Sequence, residues 1–152
     1  MKNKYGLLIP AILIVAAGAF FSGCRTIVSN APTGFAAYRG ENPFRAVSHD
    51  GVMYRVRNAK NKPFAGLPFW KTALKKHMTD SGYRFISESE ISSGNLTGYM
   101  LELTAPVGDK DYTYLIALFV KGDTLLIAEA SGEISHFKNY RSSITDAIKK
   151  IE

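Results

Sequence analysis

The stretch Asp111-Tyr112-Thr113-Tyr114-Leu115-Ile116-Ala117-Leu118-Phe119-Val120 is apolar at both of its alternating sets of positions. Successive side chains of a β-strand point to opposite faces of the sheet. A strand with one solvated face therefore carries polar residues at every second position, whereas a strand covered on both faces does not. We predict that this stretch is a central strand, with packed layers over at least part of both faces.

Two neighbouring segments extend this strand into a sheet. Residues 97–105 alternate through Tyr99, Leu101 and Leu103, and residues 124–130 follow a tight turn at residues 121–123. Short links between successive strands favour neighbouring positions in the sheet. The three segments therefore predict an antiparallel meander.

A hairpin is predicted earlier in the chain. Residues 44–48 and 52–57 alternate on either side of Asp50-Gly51, and an Asp-Gly pair accepts the positive φ of a tight hairpin turn. The second of these strands has an apolar face at positions 52, 54 and 56, and Arg55 and Arg57 lie on its other face. These two arginines are a candidate partner-binding face, which could also bind an anion. The alternative is an ordinary solvated strand face.

Two helices complete the predicted fold. Residues 68–81 carry an apolar stripe with helical spacing, Pro68 suits the first turn, and Gly82 can end the helix. Residues 131–152 form a second predicted helix, capped by Ser131, with a break at residues 139–140 left open. Residues 58–66 and 87–95 are predicted loops, and residues 83–86 a short strand.

The predicted class is α+β, with a largely antiparallel β-sheet packed by two helices in the order β-β-α-β-β-β-β-α. A hydrophobic signal helix is expected before this domain. Lys2 and Lys4 precede an apolar run at residues 7–21, which ends at Phe21-Ser22-Gly23-Cys24. A basic start, an apolar core and a small-residue exit are typical of an export signal.

Residues 1–24 resemble a bacterial lipoprotein precursor, with Phe21-Ser22-Gly23-Cys24 as the lipobox. The resemblance implies cleavage between Gly23 and Cys24, and acyl chains on Cys24 that anchor the protein in a membrane. The alternative is an uncleaved transmembrane anchor, although a span usually needs about 20 apolar residues. The predicted organisation is a signal peptide at residues 1–23, a tether at 24–34 and a single domain at 35–152.

The predicted domain is similar to the PsbP/DcrB-like superfamily of small exported domains. The resemblance lies in residues 124–132 (TLLIAEASG), Phe137 and residues 144–151 (ITDAIKKI), which together form a strand-to-helix pattern. It implies a non-enzymatic accessory or binding role. No site residue can be transferred from it.

Composition narrows the functional classes. The chain has 19 Lys+Arg and 13 Asp+Glu, and Lys2 and Lys4 belong to the predicted signal peptide. The remaining positive charge is ordinary for a soluble surface and comes with no aromatic-basic motif, so we expect no nucleic-acid partner. A weak attraction to an anionic membrane surface stays open. The only cysteine is Cys24, so no internal disulfide can form.

No motif predicts an active site, a cofactor or a metal centre. His49, His77 and His136 fall on separate predicted elements, without the spacing of zinc ligands. The expected function is therefore a non-enzymatic binding or accessory module of the cell envelope, with an envelope protein as partner. The rival is a small envelope hydrolase whose site combines scattered residues such as His77 and Asp111.

Two further expectations concern location and the aromatic residues. The protein is expected to be exported and membrane-anchored, and Arg25 after the cysteine resembles the pattern sorted to the outer membrane, periplasmic face, in a Gram-negative cell. Several aromatic side chains of the meander could line a groove or could fill the core beneath the helices. These residues are Tyr99, Tyr112, Tyr114 and Phe119.

Overall fold

The structure is a computed structural model that describes residues 30–151. The predicted signal helix, the cleavage site at Gly23 and Cys24 and the lipid attachment at Cys24 lie outside the described residues. Among the described residues, no helix has the length and apolarity needed to cross a membrane.

Seven strands form one antiparallel sheet, and two helices pack on it. The strands are β1 (Phe35–Ala37), β2 (Phe44–Ser48), β3 (Met53–Lys60), β4 (Arg84–Ser93), β5 (Leu96–Val107), β6 (Lys110–Lys121) and β7 (Thr124–Glu133). The helices are α1 (Leu67–Asp80) and α2 (Ile134–Ile148). The order of strands across the sheet is β1-β2-β3-β7-β6-β5-β4. The predicted α+β class is confirmed, with the short strand β1 added at one edge.

Strands β6 and β7 lie inside the sheet and are covered on both faces, as the two-sided apolarity of β6 predicted. One core cluster joins alternate residues of these strands, such as Leu115 and Ala128, to Phe137 and Ile144 of α2. The other cluster joins the intervening residues, such as Ile116, to Met78, Trp70 and Leu74 of α1. The two helices therefore cover opposite faces of the sheet, and each has its own apolar core.

A glycine allows tight packing between β5 and β6. Gly98 pairs with Phe119, and a methyl group added to Gly98 would lie 2.8 Å from the carbonyl oxygen of Leu118 and would overlap the ring of Phe119. Real side chains essentially never approach that closely. The fully buried Phe119 ring can lie across the neighbouring strand only because Gly98 has no side chain.

The predicted loop at residues 87–95 is wrong. Residues 84–93 form strand β4, which pairs with β5 along almost its whole length and has a bulge between Phe85 and Ser87. Its side chains are mostly exposed, and only Ile91 and Ser93 are buried. The strand lies at the edge of the sheet, where polar side chains remain solvated, so its sequence has the composition of a loop.

The predicted start of the second helix at Ser131 is also wrong. Ser131 pairs with Met53 of β3 on one side and with Tyr114 of β6 on the other, so β7 continues to Glu133 and α2 begins at Ile134. Ladder hydrogen bonds on both sides hold the backbone extended, and Ser131 therefore does not serve as a helix cap. The helix continues through residues 139–140 without a break.

The chain is already packed against the domain before the first strand begins. Ala31 packs on the core beneath α2, Pro32 is buried, and Phe35 meets Tyr140 of α2 edge-to-face with their ring centres 5.3 Å apart. Residues 31–34, predicted as part of the tether, therefore lie on the domain. Residues 24–29 of that segment are outside the described part of the chain.

Candidate functional site

The candidate site lies on the sheet face that carries α1, next to the apolar core under that helix. Helix α1 packs over Ile127 of β7 and Ile116 of β6. Two residues further along the same face lie Glu129 of β7 and Tyr114 of β6, and beside Glu129 lie Arg55 and Arg57 of β3. We call these four residues, Arg55, Arg57, Tyr114 and Glu129, the arginine face.

Glu129 is the centre of the arginine face, and both of its carboxylate oxygens are occupied. Oε2 accepts hydrogen bonds from Nε of Arg55 at 2.8 Å and from Nε of Arg57 at 3.1 Å. Oε1 accepts from the Tyr114 hydroxyl at 2.9 Å and from Nη2 of Arg57 at 3.3 Å. Nη2 of Arg55 lies 2.7 Å from Oε2. The carboxylate therefore fixes both guanidinium groups in position.

Glu129 is much more deeply buried than the two arginines that bind it. The side chain of Glu129 is 7% exposed, whereas those of Arg55 and Arg57 are 44% and 37% exposed. Each guanidinium carries five N–H donors, so groups remain free on its solvent side. Glu129 therefore holds both guanidinium groups on the side of the sheet, and their other side is exposed to solvent.

The surroundings fix the ionisation states on this face. Burial alone would raise the pKa of Glu129, but hydrogen bonds from Arg57 and Tyr114 and the charges of Arg57 and Arg55 outweigh it, so the pKa is lowered. The Tyr114 pKa is raised, first by burial and then by the adjacent carboxylate. Glu129 is therefore ionised and Tyr114 neutral near pH 7.

This arrangement favours binding over proton transfer. A general base needs a free lone pair and a pKa near the working pH. Glu129 has neither, because its oxygens are filled and its pKa is lowered. Two fixed guanidinium groups can instead donate hydrogen bonds to a carboxylate or phosphate oxygen, and their positions cost no further ordering when such a group binds.

A third arginine lies next to this face. Arg45 of β2 is directly opposite Arg55 in the antiparallel ladder. Like charges in opposite positions repel each other. The repulsion is reduced because Arg45 forms an ion pair with Glu41, at 2.5 Å, and Arg55 pairs with Glu129.

The sequence identified Arg55 and Arg57 as one face, and the structure places them together around a shared carboxylate. The sequence did not identify Glu129, which was assigned only to a strand. Tyr114 was considered only as an aromatic residue of a groove or of the core. A signal was present, since Glu129 is the single charged residue within the apolar run at residues 125–130. A charge at an inward position of a central strand needs a partner, and that partner lies on a strand more than seventy positions away.

The residues proposed for the rival hydrolase have separate surroundings. His77 is an exposed residue of α1, and within the described part of the chain its imidazole forms no hydrogen bond or ion pair. Both carboxylate oxygens of Asp111 lie 3.0 Å from Nη2 of Arg84. Among the described residues, no three His, Cys, Asp or Glu side chains are grouped so that they could hold a metal ion.

The aromatic side chains of the meander mostly fill the core. Tyr99 and Phe119 are 3% and 0% exposed, and they belong to the cores on opposite faces of the sheet. Tyr114 contacts the ring of Tyr83, with ring centres 5.6 Å apart, and its hydroxyl binds Glu129. For Tyr99 and Phe119, the interpretation as core residues therefore fits the structure better than an aromatic groove does.

Comparison with known proteins gives similarity of fold only. No family model and no curated protein matches the chain. Among solved structures, it is similar to cyanobacterial PsbP (CyanoP) from Synechocystis, with 13% identity and a TM-score of 0.56 over 84% of this chain and 91% of that one. It is also similar to a Pseudomonas aeruginosa protein of unknown function, with 7% identity and a TM-score of 0.59 over 76% and 94% of the two chains.

A third similar structure is LpqN of Mycobacterium tuberculosis, a protein involved in cell envelope biogenesis. Its identity is 12% and its TM-score 0.62, with 83% of each chain covered. At such low identities, the likeness shows the fold alone. The chain described here therefore has a PsbP-like fold.

Proposed function

We propose that this protein is a lipid-anchored, non-enzymatic accessory module of the cell envelope, which binds an acidic envelope protein through the arginine face. The observation that carries the proposal is the pair of half-exposed guanidinium groups held on a buried carboxylate. A fixed pair of arginines is suited to a carboxylate on a partner, because planar guanidinium groups bind carboxylates through two hydrogen bonds.

Two further observations support a role in the envelope. Residues 1–24 have the pattern of a lipoprotein signal, with Cys24 as the proposed attachment point. LpqN, which shares the fold, is involved in cell envelope biogenesis. In a Gram-negative cell, we propose that the anchor places the domain on the periplasmic face of the outer membrane.

The binding role is tested by in-cell crosslinking of the tagged full chain, followed by mass spectrometry. We expect one dominant envelope protein, lost when Arg55 and Arg57 are both replaced by Gln. Replacing both by Lys keeps the charge but removes the paired donors, so capture should be reduced. The matched control replaces Lys149 and Lys150, exposed at the end of α2, by Gln. Capture that is unchanged in the Gln variant, or equally reduced in the control, would contradict the proposal.

The anchor is tested separately with Cys24→Ala. We expect this variant to accumulate as unprocessed precursor without incorporating labelled palmitate. Normal processing of the variant would show that Cys24 is not the lipid attachment point. Because this experiment does not involve Arg55 or Arg57, failure of the anchor and failure of the binding face can be told apart.

A further inference from the structure

The loop between β3 and α1, residues 61–66, lies at the same end of the sheet as the turn between β6 and β7. Asn61, which is 3% exposed, fixes this loop. Its side-chain amide donates to the carbonyl oxygens of Gly122, at 2.9 Å, and Ala65, at 3.0 Å. Its Oδ1 accepts from the backbone N–H of Ala65 at 3.1 Å and from the Trp70 indole at 2.7 Å.

This fixed loop exposes apolar side chains to solvent. Phe64 is 79% exposed, more than any other large apolar side chain in the described part of the chain, and Phe69 in the first turn of α1 is 49% exposed. Exposed phenylalanine is costly in water, and the two hydrogen bonds between Asn61 and Ala65 hold the ends of the segment that carries Phe64. Such a ring is available to a surface outside the domain.

Three exposed lysines lie in this loop or next to it along the backbone. Lys60 and Lys62 flank Asn61, and Lys121 is the last residue of β6, directly before the β6–β7 turn. All three are exposed, and within residues 30–151 none of them forms an ion pair. By contrast, each lysine on α1 is paired with an acid: Lys71 and Lys75 with Glu88, and Lys76 with Asp80. We call Phe64, Phe69, Lys60, Lys62 and Lys121 the aromatic tip.

We propose that the aromatic tip is a second contact site, which inserts Phe64 into the interface of an anionic lipid bilayer while its lysines bind the lipid phosphates. Aromatic rings and lysines together are typical of segments that lie at the membrane–water interface. Unpaired lysines are attracted to anionic headgroups without first breaking an ion pair. The loop is already ordered, so contact costs little conformational entropy.

The aromatic tip shares no residue with the arginine face and lies at the other end of the sheet from the point where the chain enters the domain. The chain enters the domain beside Ser48, which pairs with Phe35 at the opposite end of the sheet from Lys60 and Thr124. Attachment at both ends would hold the domain along the membrane surface. The aromatic tip would therefore set the orientation of the domain on the membrane as well as bind it.

The test uses the full chain carrying Phe64→Trp, reconstituted into vesicles that contain brominated phosphatidylcholine with or without phosphatidylglycerol. Bromine quenches the fluorescence of an indole only if that indole enters the bilayer. The fluorescence of Trp70 is measured in the unchanged chain and subtracted. The matched control is Phe85→Trp, which alters a phenylalanine that is 43% exposed in β4. Circular dichroism checks that each variant folds.

With phosphatidylglycerol present, we expect quenching at position 64 to exceed that at position 85 by at least about twofold. The difference should shrink when Lys62 and Lys121 are changed to Glu in the Phe64→Trp chain, and it should persist when Lys149 and Lys150 are changed instead. Equal quenching at positions 64 and 85, or none at position 64, would overturn the proposal. The absence of quenching would favour an apolar pocket of a partner protein as the occupant.

Discussion

At the scale of single residues, the candidate site depends on a buried carboxylate that would destabilise the fold if it had no partners. Glu129 is buried in a central strand, where an unpaired charge would strongly disfavour folding. Arg55, Arg57 and Tyr114 fill its oxygens, and the two arginines keep part of their surface in water. Because the same contacts stabilise the acid and position the arginines, stability and binding are linked at this point.

Replacing Glu129 by Gln tests this link. We expect a loss of about 1–3 kcal/mol in the free energy of unfolding at pH 7, because hydrogen bonds to a charged group are replaced by weaker ones. The folded-state pKa of Glu129 lies below its ordinary value of 4.5. Its ionisation therefore stabilises the fold fully above about pH 4.5, and this contribution is lost as the pH falls through the folded-state pKa.

Urea denaturation at several pH values measures this effect. Between pH 7 and pH 3 the unchanged protein should lose more stability than Glu129→Gln, so the two curves should converge in acid. Tyr114→Phe is the control, since it removes one hydrogen bond from the carboxylate and keeps its charge. Parallel curves for the unchanged protein and Glu129→Gln would show that folding does not lower the pKa of Glu129.

A second residue-scale prediction concerns Gly98. Changing it to Ala should destabilise the fold by about 1–3 kcal/mol, because the added methyl group overlaps the Phe119 ring and approaches the carbonyl oxygen of Leu118. Thermal unfolding measures the loss. Ala105→Gly is the control, because it measures the general cost of exchanging alanine and glycine in the same strand. Gly94→Ala is unsuitable, because Gly94 has a positive φ that alanine would strain. A neutral Gly98→Ala would contradict the packing described here.

At the scale of elements, the sequence predicted those segments whose side-chain pattern is set by burial. The two-sided apolarity of β6 and the stripe on α1 arise because each element meets a core at regular intervals. Only the start of strand β4 was predicted, as a short strand at residues 83–86. Residues 87–93 were missed because their edge position leaves most of their side chains solvated. The start of α2 was missed because Ser131 suits a helix cap locally, and only pairing with β3 and β6 makes it part of a strand.

Helix α2 offers a matched pair of substitutions. Ile148 is fully buried against the sheet, whereas Ile134 is 43% exposed at the start of the same helix. Ile148→Ala should lower the free energy of unfolding by about 2–5 kcal/mol, because it leaves a cavity in the core. Ile134→Ala should change it by less than about 1 kcal/mol, since little packing is lost. Chemical denaturation measures both, and equal losses would mean that the inward face of α2 is assigned incorrectly.

At the scale of the whole molecule, the candidate site could be only half predicted. Alternation along one strand placed Arg55 and Arg57 on a common face, because that pattern is local. Their partner Glu129 is fixed by the register between β3 and β7, which are joined through a helix and three other strands. Position across such a topology depends on which strands become neighbours, and the sequence of any one segment does not specify this.

The arrangement of the sheet predicts a gradient of stability. Strands β6 and β7 are paired on both sides and covered on both faces, whereas β1 has three residues and one neighbour. Amide hydrogen exchange should therefore be slowest at buried positions such as Ala117 and Ala128 and fastest in β1. Exchange measured by NMR tests this order. Protection in β1 equal to that in β6 would indicate a stabilising contact that involves residues outside the described range.

The packing of residues 31–34 on the domain has a consequence for how the protein would search for a partner. If Cys24 carries the lipid, only residues 25–30 remain between the anchor and the docked chain, and a fully extended segment of that length spans roughly 20–25 Å. A linker this short would keep the domain within a thin layer above the bilayer. Partners in the same membrane would then be met by lateral diffusion in two dimensions, and those free in the surrounding compartment only when they reach that layer.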